Sequence, residues 1–261
     1  MEKQARHDTA NWIQVPRPAP QAETRLVCCP HAGASASAFG PLARALPDNG
    51  VEALSVQYPG RQGGPGYQGF TDIGELADRV ATELLPWCDR PFAVLGHSMG
   101  SVVAFELTRR LEAAGKPPVR LFVSGRRSPS DGLGVHVPQN DEEIVEELRT
   151  LGGIPVKLLD KPKYRESILT VVRNDYRANS GYLAPPDATV NCPVTFLLSE
   201  SDPYVDAAAA AAWGNHTTQE LTVTSFPGGH FFLNEELAQV VEAVTEGLFT
   251  GSAGRHAGGL R

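Results

Sequence analysis

Ser98 stands at the centre of VLGHSMGS, residues 94–101, flanked at two-residue spacing by Gly96 and Gly100. A serine hydroxyl attacks a carbonyl carbon only when a base takes its proton, and that base needs a third group to hold its tautomer and stabilise the imidazolium. The chain offers both, later and in order: Asp202 in SESDPYVD and His230 in PGGHFFL. Acyl transfer also needs two donors aimed at the developing oxyanion. By position the Met99 N–H is one, and the small-residue stretch CPHAGASASAF supplies the other, from Ala32 with Gly33 next to it. Asp206 and Glu200 are the reserve acids. Among the histidines, His97 adjoins the serine, His136 lies in a central insertion, His7 and His256 are terminal, and His216 precedes the last apolar run, so none fits the order as His230 does.

These residues make sense only on elements that bring them together. Short apolar runs at 25–30, 51–59, 92–97, 119–125, 194–200 and 221–227 read as buried strands, each bounded by turn residues. Helical patterns separate them: PLARAL, ELADRVATELLPW, SVVAFELTRRLEAAG, the alanine run before Trp213, and NEELAQVVEAVTEGLF, for which Asn234 is the expected N-cap. The alternation predicts an α/β fold, a mostly parallel sheet flanked by helices. Ser98 then falls at a strand-to-helix junction, where G-x-S-x-G makes a sharp turn that lifts the hydroxyl clear of the backbone. Asp202 and His230 each follow a strand directly. The alternation breaks once, where NDEEIVEELRTLGG opens with Asn140 and Glu143 in capping-box spacing and a second amphipathic run follows. An inserted helical lid over the carboxyl edge of the sheet is the expectation. The resulting division is an N-terminal extension at 1–24, a core at 25–127 and 186–250, a lid at 128–185 and a loose tail at 251–261.

The totals narrow the function. A net charge of −7 with no long basic run argues against nucleic acid as a partner. No run approaches the ~18 apolar residues of a membrane span and the N-terminus carries no apolar leader, which predicts a cytoplasmic protein. Cys28, Cys29, Cys88 and Cys192 show neither metal-ligand nor disulfide spacing and are expected as buried free thiols.

CPHAGASASAF, VQYPGRQG, VLGHSMGSVVAFEL, Asp202-Pro203 and PGGHFFL, in that order from about Leu26 to Leu248, resemble the type II thioesterases that accompany polyketide and nonribosomal peptide synthases. The resemblance implies an α/β-hydrolase fold with a mobile helical lid. It further implies editing hydrolysis of stalled acyl groups from the phosphopantetheine arm of acyl or peptidyl carrier proteins, with no cofactor and no metal. Carried over by position, Ser98 is nucleophile, His230 base, Asp202 orienting acid, and the N–H groups of Ala32 and Met99 the oxyanion hole. One departure is visible: the family loop reads HAGG, and here Ala34 replaces the second glycine, which matters if that position needs positive φ. Arg126 and Arg127 follow one strand and Arg61 another, so all three are expected on the rim of the sheet edge that carries Ser98, as a docking patch for an acidic carrier. An acyltransferase or esterase of the same fold is the nearest alternative, and a binding protein that has kept the fold without catalysis is the second.

Overall fold

The computed structural model describes residues 12–61, 70–134, 138, 140–152 and 159–249. His7, His136, His256, residues 1–11 of the expected extension, residue 250 and the expected tail at 251–261 lie outside the described residues.

Seven strands form one sheet: β1 (Ile13–Gln14), β2 (Thr24–Cys29), β3 (Val51–Val56), β4 (Phe92–His97), β5 (Leu121–Ser124), β6 (Val194–Ser199) and β7 (Leu221–Phe226). Their order is β1-β3-β2-β4-β5-β6-β7. All neighbours run parallel except β1, which pairs antiparallel with β3. Six of these strands follow the apolar runs of the sequence. β1 is the addition, two residues inside the segment expected to be an extension. Strands β2 to β6 are buried along their whole length, as a parallel sheet covered on both faces requires.

The helices are α1 (Gly40–Ala45), α2 (Ile73–Leu84), α3 (Met99–Ala113), α4 (Asp141–Leu151), α5 (Pro162–Gly181), α6 (Ala207–Ala211), α7 (Phe232–Glu235) and α8 (Leu237–Phe249). Asn234 does not cap the last helix: it lies inside the short α7, and its Nδ2 donates to the Ala38 carbonyl at 3.3 Å. The apolar start of α8 at Leu237 sets the helix after a separate turn. Among the described residues no helix is long and apolar enough to cross a membrane.

Alternating side chains divide the interior into two layers. Val27, Cys29 and Val94 pack with Phe105, Phe196 and Trp213 on one face, while Leu26, Cys28 and Leu95 pack with Phe122, Leu197 and Val240 on the other. The adjacent cysteines therefore point to opposite sides of the sheet. All four cysteines are free and buried, and burial pushes the Cys29 thiol up to about 12, which makes it inert filling. Helices α4 and α5 share a third, smaller cluster around Ile144, Leu148, Leu169 and Val172. The capping box at the start of α4 forms as expected: Asn140 accepts from the Glu143 N–H at 3.0 Å and its Nδ2 donates to Glu143 Oε1 at 2.8 Å.

Candidate active site

The end of β4 turns into α3 through Ser98, whose φ of 54° and ψ of −124° make it the one non-glycine residue at positive φ among those described. Such a conformation is costly for a residue with a side chain and persists only where its surroundings hold it. Two features hold it here. A Cβ on Gly96 would strike the Gly100 carbonyl and a Cβ on Gly100 would strike that of Cys29, so both glycines are needed for the turn to close against β2. Ser101, fully buried one turn into α3, places its Oγ 2.9 Å from the Gly96 carbonyl and 2.8 Å from the Ser124 carbonyl, tying the turn to β5. The Ser98 N–H itself donates to the Ser124 carbonyl at 2.8 Å.

The acid and the histidine meet on loops beyond the next two strands. His230 Nδ1 donates to Asp202 Oδ2 at 2.8 Å, with both side chains almost wholly buried, and the other carboxylate oxygen accepts from the Tyr204 N–H at 2.9 Å. That bond fixes the tautomer with the proton on Nδ1, leaving Nε2 as the basic nitrogen. The reserve acids stand elsewhere. Asp206 caps α6, accepting from the Ala209 N–H at 2.8 Å, and Glu200 is exposed. Ser98, His230 and Ala32 line one cavity. No hydrogen bond joins Ser98 to His230 directly among the described residues; they share the cavity wall.

Gly125 makes the imidazole fit. It holds φ at +62°, and a Cβ there would lie 2.8 Å from His97 Cε1 and 3.0 Å from His230 Cε1. His97 and His230 sit with ring centroids 4.9 Å apart, and Phe231 packs against both. His31, which stands in the loop after β2 and has no place in the order of acid and base, packs on Phe231 at 4.7 Å and on His97 at 5.8 Å. Burial holds His97 well below the usual histidine range and His31 at about 3, with the neighbouring His230 acting in the same direction. Both rings are therefore neutral packing around His230.

The loop after β2 resolves the Ala34 departure. Gly33, not Ala34, carries positive φ, at +78°, so alanine at 34 is free of strain. The Gly33 N–H is occupied, donating to Asp175 Oδ2 at 2.7 Å. This leaves Ala32, on the cavity wall, as the better-placed donor of the two. Met99 opens α3, where N–H groups have no carbonyl one turn back.

The expected rim of arginines is not there. The Arg61 side chain is 6% exposed, and it is spent inside the molecule: Nη2 on Asp175, Nε on the Ala34 carbonyl at 3.0 Å and Nη1 on the Pro59 carbonyl at 2.8 Å. It ties the β2 loop to α5 and is unavailable to a carrier. Arg126 is 3% exposed, because its chain turns inward beneath the insertion and donates to the Gly132 carbonyl. Arg127 is half-buried. Both line the Ser98 cavity, facing inward instead of out across the rim. On the opposite wall stand Leu148 and Leu151 of α4, Tyr176 and Asn179 of α5, and Glu147, which accepts from the Tyr204 hydroxyl at 3.1 Å. The space between, open solvent included, is about 790 Å³. Among the described residues no cluster of histidine, cysteine and carboxylate side chains could hold a metal.

Comparison with known proteins agrees with this architecture. The family model described as Thioesterase domain matches residues 24–248. The chain is 40% identical over 241 residues to the "Probable cadicidin biosynthesis thioesterase" of Streptomyces griseus, covering 92% of this chain and 66% of that protein. It is 38% identical over 244 residues to "Thioesterase PikA5" of Streptomyces venezuelae, covering 92% and 86%. Among solved structures, the type II thioesterase BorB from the borrelidin biosynthetic cluster superposes with a TM-score of 0.82 at 38% identity, covering 91% of this chain and 97% of that one. YbtT, a type II thioesterase from the yersiniabactin pathway, gives 0.82 at 26% identity, covering 92% and 99%. With a sheet, an elbow and a cavity of this kind, and with a family model spanning nearly all the described residues, the chain belongs to the thioesterase domain family and is a hydrolase of thioesters on the α/β-hydrolase fold.

Proposed function

We propose that this protein is an editing thioesterase of polyketide or nonribosomal peptide synthesis, releasing aberrant or stalled acyl groups from the phosphopantetheine arm of a carrier protein in the cytoplasm. YbtT comes from an NRPS/PKS biosynthetic pathway, and BorB is a type II thioesterase from the borrelidin biosynthetic cluster. The observation that carries the catalytic reading is the buried His230–Asp202 pair opening on the same cavity as a serine held at positive φ.

In this reading Ser98 Oγ bonds to the thioester carbon while His230 Nε2 takes the hydroxyl proton and Asp202 stabilises the imidazolium. The N–H groups of Ala32 and Met99 receive the negative charge on the carbonyl oxygen. The carbon–sulfur bond breaks, the pantetheine thiolate leaves with the proton from His230, and an acyl-serine remains. Water, deprotonated by the same imidazole, attacks that ester and frees the acid and Ser98. A thiolate is a good leaving group, so collapse of the first intermediate needs little acid assistance. The segment 128–185 acts as the lid, contributing α4 and α5 as the far wall of the acyl cavity.

The test is release of free acid from acyl-carrier and acyl-coenzyme A substrates by the wild type and by Ser98→Ala. Loss of at least ~10³-fold in the variant is expected, together with fluorophosphonate labelling of the wild type alone. Equal turnover by both proteins rejects the assignment, and transfer of the acyl group to an added alcohol or amine favours the acyltransferase reading.

A further inference from the structure

Tyr204 touches both members of the His230–Asp202 pair and the helical wall at once. It stands two residues beyond Asp202, and its backbone N–H donates to Asp202 Oδ1 at 2.9 Å, closing an Asx turn that leaves the other carboxylate oxygen on His230 Nδ1. Its ring meets the imidazole of His230 edge to face, with centroids 5.4 Å apart and planes at 78°. Its hydroxyl crosses to α4 and donates to Glu147 Oε1 at 3.1 Å.

The other groups packed on His230 lack that last link. Gly125 and His97 belong to the sheet side, where His97 Nδ1 stands 3.3 Å from the Ser124 hydroxyl, and Phe231 is apolar. Of these four neighbours Tyr204 is the one whose side chain is bonded to the helical wall, among the described residues. Glu147 is a fixed anchor for it, because the Tyr176 hydroxyl of α5 engages the same carboxylate. Burial and the Glu147 charge push both phenols up, so each stays a donor at neutral pH.

A side chain bonded at its tip is confined to one rotamer, and this one springs from the backbone unit that orients Asp202. Proton transfer at Nε2 depends on the imidazole keeping its plane and on the Nδ1 bond keeping its length. Both conditions are met through a residue whose far end is held by α4.

The geometry points to Tyr204 as a positioning residue for the His230–Asp202 pair, seated by Glu147, so that the base is best aligned while the helical wall is in place. This deepens the thioesterase reading and rests on it. The experiment measures hydrolysis of butyryl-N-acetylcysteamine by Tyr204→Phe, which loses the hydroxyl and keeps the ring and the N–H, by Glu147→Ala, which loses the acceptor, and by the double variant. Each single variant should lower kcat about tenfold, the effect of one hydrogen bond to a charged group, and leave KM nearly unchanged. The double variant should be no slower than either, because both substitutions remove the same bond. A second readout is the His230 Nδ1 proton, followed by nuclear magnetic resonance in the protein without substrate: its exchange with water should quicken about tenfold in each single variant. Unchanged kcat in both single variants overturns the inference, as does a loss carried by KM alone, which would make Tyr204 and Glu147 substrate contacts. Losses that multiply in the double variant, or an Nδ1 proton whose exchange is unaltered, overturn it too. If the wild type hydrolyses no thioester, the thioesterase reading fails, and the proton exchange alone decides the role of Tyr204.

Discussion

The cavity has two walls built in different ways. On the sheet side, Ser98, Asp202 and His230 stand directly beyond strands β4, β6 and β7, whose neighbours belong to the two large apolar layers. On the helical side, α4 and α5 share with Leu159 a separate cluster of six buried apolar residues, and α5 joins the main core through Ala178, with a few polar ties beside it. These are Asp175 to Arg61 and Gly33, and Glu147 to Tyr204. Reacting groups need fixed geometry, which strand ends in a packed sheet supply. The opposite wall has a cluster of its own, so its side chains can be exchanged without repacking the strands that carry Ser98, Asp202 and His230.

Substitutions on each wall test that division, and the sheet side should give the largest effect. Asp202→Asn leaves His230 without a carboxylate, and kcat should fall by about 10⁴-fold with little change in the melting temperature. A comparable melting loss would mean that the pair holds the fold and is not mainly catalytic. On the helical side Asp175→Ala should act first on stability. It strands the buried Arg61 guanidinium and should cost about 3 kcal/mol in denaturant unfolding, while Asp202 and His230 stay paired. Gly125→Ala joins the two effects: a Cβ at positive φ against His97 and His230 should cost about 2 kcal/mol and lower kcat as the imidazole shifts. Unchanged kinetics would show that His230 is not held by packing at that point.

A separate effect, small near neutral pH, is set by the buried histidines. His97 and His31 have folded pKa values below their unfolded ones, so the unfolded chain binds protons that the native state refuses. Stability should be complete above about pH 6.5 and decline as pH falls below it, by at most about 1.4 kcal/mol per unit for each histidine. For His31 the decline continues to about pH 3. His97→Asn should flatten the slope of unfolding free energy between pH 6.5 and 5; an unaltered slope removes His97 from the account. Smallest of all, Asn140→Ala removes an exposed cap from α4 and should cost about 1 kcal/mol, read as faster amide exchange in the first turn of that helix.

Much of the sheet wall was legible because strand runs and turn residues are local signals. G-x-S-x-G between apolar run and helix located the elbow, and the chain order of acid and histidine located the pair joined at 2.8 Å. What escaped is what depends on distant partners or on the direction of a side chain. Arg61 and Asp175 are 114 residues apart, and nothing local marks them as an ion pair. That Arg126 follows a strand says which edge of the sheet it occupies, not that it folds back beneath the insertion. His31 carries no local signal of its packing role, because the rings it meets, His97 and Phe231, lie far along the chain. β1 is too short for any periodicity, and its pairing is set by the β3 edge it meets. Asn234 looked like a cap by residue type, but the chain spends one further turn before α8 begins.

Asp175 Oδ2 takes both the Gly33 N–H and the Arg61 guanidinium, while Val172, one turn earlier on α5, sits over Gly33 where a Cβ would lie 2.7 Å from its Cγ2. The cover and the loop bearing Ala32 are thus clamped at a single carboxylate. Under the proposed mechanism, raising α5 would slacken the loop whose Ala32 N–H receives the oxyanion, so an uncovered cavity would be a poorer catalyst as well as a wetter one, and docking and hydrolytic competence would rise and fall together.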